Sequence, residues 1–193
     1  MSLRTAPSSS TCQILLILVR KGELTHATGE EVDFEKAPWN IPKVRMKASK
    51  AHNIYLLQQA LDILVALRTC AGGFRYLISS RYDADKCMSN ATLNRVTQLI
   101  VERAKTNNPL LEPFTGHDLR RTGLTNLNKL GFSSDWIEKC LANEDCRSSR
   151  GVYNKAEYAE QRRYMLQEWA DMIDAWVAGA PLVLAHIGQG SSL

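Results

Sequence analysis

An imidazole and a guanidinium three residues apart, with a phenol further along the chain, form the part of this sequence best suited to chemistry. His117 and Arg120 lie within residues 115–122, and Tyr153 follows. Residues three apart on a helix share one face, so both side chains point to the same side. The N-terminus of a helix attracts negative charge, which makes a phosphate the natural ligand of this pair.

The helix that must carry this pair has recognisable ends. Thr115 can cap its N-terminus with Asp118 at the third position, a carboxylate variant of the capping box, and Gly131 is well placed to end it. Its apolar contacts come from four leucines: Leu119, Leu124, Leu127 and Leu130. Burial of that face leaves the edge with His117 and Arg120 free to meet a ligand.

The charge of the chain is distributed unevenly. The 193 residues are enough for one domain with a core, and 24 Lys+Arg against 20 Asp+Glu is too small an excess to identify a nucleic-acid partner by itself. Basic residues nevertheless crowd two regions: Lys43, Arg45, Lys47 and Lys50, then Arg120, Arg121, Arg147, Arg150, Lys155, Arg162 and Arg163. Local charge therefore matters more here than the total.

Cysteine usage and hydropathy predict a reduced, intracellular and soluble protein. The five cysteines are an odd number without C-x-x-C spacing, which argues against a disulfide framework and against a zinc ribbon. The apolar run at 14–19 is too short to cross a bilayer, and residues 1–10 lack the hydrophobic centre of a signal peptide. We therefore expect neither a metal site nor a membrane segment.

Hydrophobic periodicity predicts an α+β fold that is mostly α-helical. A first helix carries residues 14–18 and reaches Arg20 and Leu24, and β-rich segments after it predict a small three-stranded antiparallel sheet: 31–34, 39–42 and 52–56. Apolar residues then repeat at helical spacing in the segments 57–67, 91–101, 119–130, 136–141 and 159–177. We expect one domain at 13–180 between a flexible N-terminal segment, 1–12, and a C-terminal tail, 181–193.

The last predicted helix has an apolar stripe that contains Trp169 and Trp176, together with Met165, Leu166, Met172 and Ile173. Packing on the core of the same chain is the favoured interpretation. Docking on a neighbouring subunit is the alternative, because a terminal helix with two tryptophans makes a good interface anchor.

The candidate residues are weak evidence when taken singly. An arginine near a glutamate, as Arg20 is near Glu23, is usually a solvated pair, and a lone Lys47 on a predicted hairpin is most often simply exposed. A lone His117 is more often a packing or capping residue than a catalyst. Their order along the chain is more specific: an arginine, a lysine on a hairpin, H-x-x-R on a helix, and then a tyrosine.

That order resembles the tyrosine recombinase (phage integrase) family, and specifically its prophage and genomic-island integrase branch. The resemblance covers residues 14–178, and its strongest strings are VRKGEL at 19–24, RMK at 45–47, MSNATL at 88–93, HDLRRT at 117–122, YNKAEY at 153–158 and RRYML at 162–166. It implies the tyrosine recombinase catalytic-domain fold. It also implies site-specific cleavage and rejoining of DNA strands through a covalent 3′-phosphotyrosine, for integration and excision of a prophage or mobile element.

Residue roles implied by the resemblance define an expected active site. In chain order they are the first arginine, its acidic support, the hairpin lysine, the histidine, the second arginine and the nucleophile: Arg20, Glu23, Lys47, His117, Arg120 and Tyr153. Tyr158 is a rival nucleophile on the same segment, but the family spacing from His117 favours Tyr153.

These residue types suit strand transfer without a metal or a cofactor. A phosphodiester under attack gains charge on its non-bridging oxygens, and two guanidiniums that stay protonated can bind it directly. A tyrosine has an ordinary pKa of about 10, so it needs a basic neighbourhood or a proton acceptor such as His117. Lys47 can protonate the leaving 5′-hydroxyl.

The resemblance also implies partners and a location. The expected partners are double-stranded DNA attachment sites and other integrase protomers in a tetrameric synapse, which forms through the C-terminal helix around Trp169 and Trp176. The expected location is the cytoplasm of a bacterial host, with no membrane partner. Further contacts with DNA are expected from five basic residues: Lys43, Arg45, Lys50, Arg121 and Arg150.

The chain departs from the family pattern in a few respects. Asn143 stands where relatives usually carry His or Trp, and its amide can still donate a hydrogen bond to a phosphate oxygen. Gly29 stands where relatives often have a tryptophan, which indicates a packing change. The chain also begins near the first catalytic arginine. We therefore expect a catalytic domain without the N-terminal DNA-binding domains of full-length relatives, with weak and strongly salt-dependent DNA binding.

Three alternative functions remain open. One is a nicking and closing activity like that of type IB topoisomerases, which the strings around Arg20 and Tyr153 disfavour. Another, motivated by Asn143 and by the missing N-terminal domains, is a catalytically degenerate DNA-binding remnant of a prophage integrase. The third is an all-α scaffold with incidental motifs, which would not need reactive side chains in this order.

Overall fold

Helices dominate the part of the chain that the structure describes. The structure is a computed structural model that describes residues 17–46, 49–80, 82–83, 85–142 and 158–179. The helices within these ranges are α1 (Lys21–Thr25), α2 (Gln58–Ala71), α3 (Asn90–Asn107), α4 (Gly116–Lys129), α5 (Ser134–Leu141) and α6 (Ala159–Val177). The strands are β1 (Pro38–Ile41) and β2 (His52–Tyr55). None of these helices combines the length and the apolar character needed to cross a membrane.

The sheet has two strands in the described ranges, where three were predicted. β1 pairs antiparallel with β2, so that Trp39 lies opposite Ile54. Both residues are buried, as the alternation of polar and apolar residues in the two segments predicts. The second and third predicted strands are therefore confirmed.

The first predicted strand, at 31–34, was wrong. A short 3₁₀ helix occupies Gly29–Glu31, and Val32 contributes only an isolated antiparallel bridge to Trp39. The Asp33 carboxylate accepts hydrogen bonds from two backbone N–H groups that follow it, those of Glu35 and Lys36. An aspartate bonded to its own backbone in this way stabilises a turn in place of a strand.

The first predicted helix does not continue through Arg20, and this prediction was also wrong. Ile17 is helical, but Leu18 has a φ of 55°, Arg20 is extended, and α1 begins at Lys21. The Glu23 carboxylate accepts a hydrogen bond from the backbone N–H of Arg20 at 2.7 Å. This bond satisfies a donor that a helix start leaves open, so Arg20 caps the beginning of a helix instead of ending one.

The core contains two fully buried tryptophans, Trp39 of β1 and Trp169 of α6. The buried stripe of α6 also includes Met165, Leu166 and Ala170, and α6 contacts α4, α5 and β2. Trp176 packs edge-to-face on Trp169, with ring centroids 5.6 Å apart. The favoured interpretation of the C-terminal stripe, that it packs on the core of its own chain, is confirmed.

Helix α4 approaches its neighbours so closely that Gly123 has no room for a side chain. A Cβ at this position would overlap Leu18 Cδ2 and lie 3.4 Å from the ring of Trp169. Leu18 is fully buried and lies just before Arg20 in the chain. The small residue on α4 therefore allows α4 and α6 to close around the segment that leads to Arg20.

Gly123→Ala is expected to lower the free energy of unfolding by about 1–3 kcal/mol, because the added methyl group must displace Leu18 in a filled core. Gly22→Ala in α1 is the matched control, since no atom of the described residues, apart from its own helix backbone and chain neighbours, lies within 4 Å of the Cβ position there. This control should be neutral or slightly stabilising. Urea denaturation followed by circular dichroism measures both variants. Equal stability of the two would show that the packing at Gly123 relaxes freely.

Candidate active site

Glu23 fixes the side chain of Arg20 at the start of α1. Arg20 Nη1 donates to Glu23 Oε1 at 2.8 Å, while the other carboxylate oxygen accepts the backbone N–H of Arg20. The Glu23 side chain is 8% exposed, whereas that of Arg20 is 37% exposed. The carboxylate thus lies inside the protein and holds a guanidinium that reaches the surface.

The guanidinium of Arg120, on α4, is anchored at one nitrogen and lacks a hydrogen-bond partner at another. Its Nη2 donates to the backbone carbonyl of Leu141 at 2.6 Å, which ties α4 to the end of α5. Its buried Nη1 lies 3.9 Å from Glu23 Oε2, and no atom of the described residues accepts a hydrogen bond from it. A buried donor without an acceptor is costly, so this nitrogen is suited to receive an anion.

Two guanidiniums therefore share one carboxylate. Burial, followed by the positive charge of Arg20, lowers the pKa of Arg120 to about 10, and Glu23 opposes that shift. Arg120 remains cationic at neutral pH, and the cluster of two arginines and one glutamate keeps a positive charge. Positive potential in a partly buried site concentrates anions there.

Helix α4 presents His117 on its first turn, and the helix ends are those predicted. The Thr115 hydroxyl accepts the backbone N–H of Asp118 at 3.3 Å, and Asp118 Oδ2 accepts the backbone N–H of Thr115 at 2.9 Å. Gly131, with a φ of 85°, follows the C-terminus. Hydrogen bonds from the Thr115 hydroxyl and then from its backbone N–H lower the pKa of Asp118. The predicted capping box is confirmed, and it leaves the His117 side chain exposed.

A cavity of about 690 Å³ brings three predicted residues together. Arg20 lines it from the N-cap of α1, and His117 and Arg120 line it from α4. Helix α3 forms another wall with Asn94, Thr97, Gln98 and Val101. The early arginine and the H-x-x-R pair therefore face one site, although they are distant in the sequence.

Three polar residues of this cavity were missed in the sequence. Lys21 Nζ donates to Asn94 Oδ1 at 2.8 Å, and Gln98 lies one helical turn further along the same wall. The sequence did contain local signals for these three residues. Lys21 is the neighbour of Arg20, and Asn94 and Gln98 have the spacing that places two residues on one face of a helix.

The predicted DNA-binding residues differ in how the fold uses them. Arg45 points inward, donating to the backbone carbonyl of Glu23 and forming an ion pair with Glu31. The indole of Trp39 donates to the same Glu31 carboxylate at 3.1 Å. Arg45 thus joins the hairpin to α1. The other described members of the set are exposed: Lys43, Lys50 and Arg121.

Four predicted site residues lie outside the described residues: Lys47, Asn143, Arg150 and Tyr153. Their roles remain predictions. The rival nucleophile, Tyr158, is described as the N-cap residue of α6, with a φ of 48° and a partly buried side chain.

His52, at the start of β2, is a partly buried titratable residue near the arginine cluster, and the sequence did not single it out. Burial, followed by the positive charge of Arg162, lowers the pKa of His52 to about 4, and the charge of Glu23 opposes the shift. Within the described ranges, its Nε2 has no hydrogen-bond partner. The ring is therefore neutral at neutral pH.

Comparison with known sequences decides the family. The sequence profile of the phage integrase family matches residues 5–160. The chain belongs to the phage integrase family. The order of reactive residues along the sequence predicted this membership, and the comparison confirms it.

Relatives of this family member include prophage integrases. It is 34% identical over 193 residues to the prophage integrase IntA of Escherichia coli (strain K12), an alignment that covers 97% of this chain and 45% of IntA. It is 32% identical over 174 residues to the integrase of Enterobacteria phage P4, covering 83% of this chain and 38% of that integrase. The chain thus spans less than half the length of these two relatives.

Solved structures of other integrases share the fold of this family member. The integrase from mycobacterium phage Brujita superimposes with a TM-score of 0.63 at 10% identity, over 88% of this chain and 53% of that one. The Tn1549 transposon integrase, solved in complex with transposon right end DNA, gives a TM-score of 0.61 at 12% identity, over 90% of this chain and 60% of that one. The predicted fold class, a mostly helical tyrosine recombinase catalytic domain with a small antiparallel sheet, is confirmed apart from the third strand.

His52→Gln is expected to make the fold less sensitive to acid. The unfolded chain binds a proton at His52 near its ordinary pKa of 6.5, whereas the folded protein binds it only near 4, so stability falls as the pH drops from 6.5 to 4. This difference in pKa lowers the free energy of unfolding by about 3 kcal/mol at acidic pH, and the variant should not show this loss. Urea denaturation of both proteins at pH 7 and at pH 4 measures it. If the free energy of unfolding fell equally in the two proteins between pH 7 and pH 4, the lowered pKa of His52 would be contradicted.

Proposed function

We propose that this protein is the catalytic part of a site-specific DNA recombinase, an integrase that cleaves and rejoins DNA strands through a covalent 3′-phosphotyrosine. One observation carries the proposal: Arg20, His117 and Arg120 line a single cavity, and Glu23 lies against both guanidiniums. Membership of the phage integrase family supports it. In a bacterial host, the proposed place of action is the cytoplasm.

The proposed ligand of the cavity is the scissile phosphate. Its non-bridging oxygens would accept hydrogen bonds from Arg20 and from Arg120 Nη1, the nitrogen that has no acceptor among the described residues. Guanidiniums bind a phosphate through several N–H groups at once and stay charged at neutral pH. The site can therefore stabilise the added charge of a phosphorane-like transition state without a metal or a cofactor.

The proposed reaction moves one phosphate and two protons. Tyr153 Oη attacks phosphorus and gives up its proton towards His117, while the bond to the 5′-oxygen breaks and Lys47 donates a proton to that oxygen. Asn143 donates a hydrogen bond to a phosphate oxygen. The phosphotyrosine keeps the energy of the broken bond, so attack by a 5′-hydroxyl of another strand reverses the steps and rejoins the DNA without ATP.

The proposed substrate is a double-stranded DNA attachment site, and the partners are other integrase protomers in a tetrameric synapse. A DNA complex of the Tn1549 integrase, which shares the fold, supports DNA as the substrate class. Phosphate contacts outside the cavity are assigned to exposed basic residues and to one beyond the described ranges: Lys43, Lys50, Arg121 and Arg150. Since Trp169 is buried in its own core, contact between protomers falls to the outer end of α6, where Val177 is 83% exposed.

Tyr153→Phe is expected to abolish covalent attachment to DNA while leaving DNA binding unchanged, because the hydroxyl is needed for attack and not for phosphate contacts. The probe is a pool of nicked, labelled fragments of DNA from the cell that carries the gene. Denaturing precipitation recovers the protein with any covalently bound DNA, and sequencing of that DNA identifies the site. Tyr158→Phe is the matched control and should form the adduct normally. An adduct with Tyr153→Phe and none with Tyr158→Phe would move the nucleophile to Tyr158.

The alternative function is a DNA-binding remnant that no longer cleaves, and Asn143 is the observation that favours it. Asn143→His in the same experiment separates the two functions. An adduct formed by the variant and not by the natural chain would identify a decayed enzyme. DNA binding without an adduct from either protein would favour the remnant.

A further inference from the structure

Arg162, on the first turn of α6, is a buried cation that the proposed reaction does not use. Its side chain is 1% exposed, which makes it one of the largest fully buried side chains among the described residues. Removing a guanidinium from water is strongly unfavourable unless the surrounding groups compensate for it. A residue kept at that cost is a candidate for a specific positioning task.

The contacts of Arg162 join three separate elements. Its Nη2 donates to the backbone carbonyl of Asn53 in β2 at 2.7 Å, and its Nε donates to Cys140 Sγ at the end of α5 at 3.4 Å. Its guanidinium carbon also lies 5.0 Å from the centre of the Tyr55 ring. The planar guanidinium thus fixes α6, α5 and β2 at one point, which a lysine with a single terminal nitrogen cannot reproduce.

Two arginines from different helices hold the end of α5, and they contact two consecutive residues there. Arg162 binds the Cys140 side chain, and Arg120 binds the backbone carbonyl of Leu141. Burial raises the pKa of the Cys140 thiol, so the sulfur accepts the hydrogen bond in its neutral form. A displacement of the α5 end would therefore move the anchor of the Arg120 guanidinium.

We propose that Arg162 is a positioning residue for the active site: it fixes the end of α5 against β2 and thereby sets the orientation of Arg120 towards the phosphate. The proposal rests on the proposed function, because it assigns Arg162 a task in the same reaction. Arg162 itself does not touch the phosphate. Its effect passes through the Leu141 carbonyl, which holds Nη2 of the Arg120 guanidinium, while Arg120 lines the cavity.

The test measures the rate of covalent attachment in a single turnover on the nicked DNA fragment that the natural chain captures. Arg162→Met is expected to slow attachment by about 10–100-fold with unchanged DNA affinity, because a small misplacement of a catalytic group has effects of this size. Arg163→Met is the matched control. Arg163 is the next residue on α6, its side chain is 50% exposed, and it pairs with Glu160 at 3.3 Å. This control should react at the rate of the natural chain.

A double-mutant cycle with Arg120→Ala separates positioning from a general loss of stability. If Arg162 acts through Arg120, the Arg162→Met change should slow attachment no further once Arg120 is absent. Slowing by the same factor in both backgrounds would overturn the proposal, as would a normal rate for Arg162→Met. If Arg162→Met does not fold, Arg162→Lys takes its place. Its attachment rate is expected to lie between that of the natural chain and the reduced rate expected for Arg162→Met. If the natural chain forms no adduct, the proposed function fails first and this proposal falls with it.

Discussion

The carboxylate of Glu23 is the group on which the candidate site depends. It accepts both the backbone N–H and the side chain of Arg20, lies 3.9 Å from Arg120, and belongs to the residue whose backbone carbonyl binds Arg45. Two cations directed at one cavity repel each other, and this single buried negative charge compensates for part of that repulsion. Removing one partner of a buried ion pair leaves an uncompensated charge, which destabilises a protein far more than replacing the whole pair with apolar residues does.

A second constraint concerns how closely α4 can approach the rest of the protein. Arg120 reaches both Glu23 and the end of α5, and Gly123, one helical turn along, lets Leu18 and Trp169 pack against the same helix. The same helix must present His117 at its N-terminus, where the Thr115 and Asp118 cap holds the first turn. Helix α4 therefore contributes both to the packing of the core and to the placement of His117 and Arg120. The helix is packed without space around Gly123, while His117 on its first turn and Arg120 line the cavity.

Local signals were enough to predict the elements whose ends are determined by neighbouring residues. The capping box and Gly131 gave the limits of α4, and apolar periodicity gave α6 because its stripe faces one core. The break before α1 was missed although Glu23, which accepts the backbone N–H of Arg20, is only three residues away, because arginine is not a usual N-cap residue. Arg45 was assigned to DNA from its charge alone, whereas its partners, Glu31 and the Glu23 carbonyl, come from other parts of the chain. The positions of the partly buried His52 and the buried Arg162 likewise depend on tertiary contacts.

The measurement that tests the shared phosphate site most directly is an NMR titration of the arginine Nε–Hε signals with a short 3′-phosphorylated DNA duplex. If Arg20 and Arg120 bind one phosphate, both signals shift with the same dependence on duplex concentration. The signals of Arg45 and Arg162, whose guanidiniums are bound inside the protein, stay in place and serve as controls. A shift of only one of the two arginines, or of neither while the duplex binds elsewhere, would contradict a phosphate site shared through Glu23.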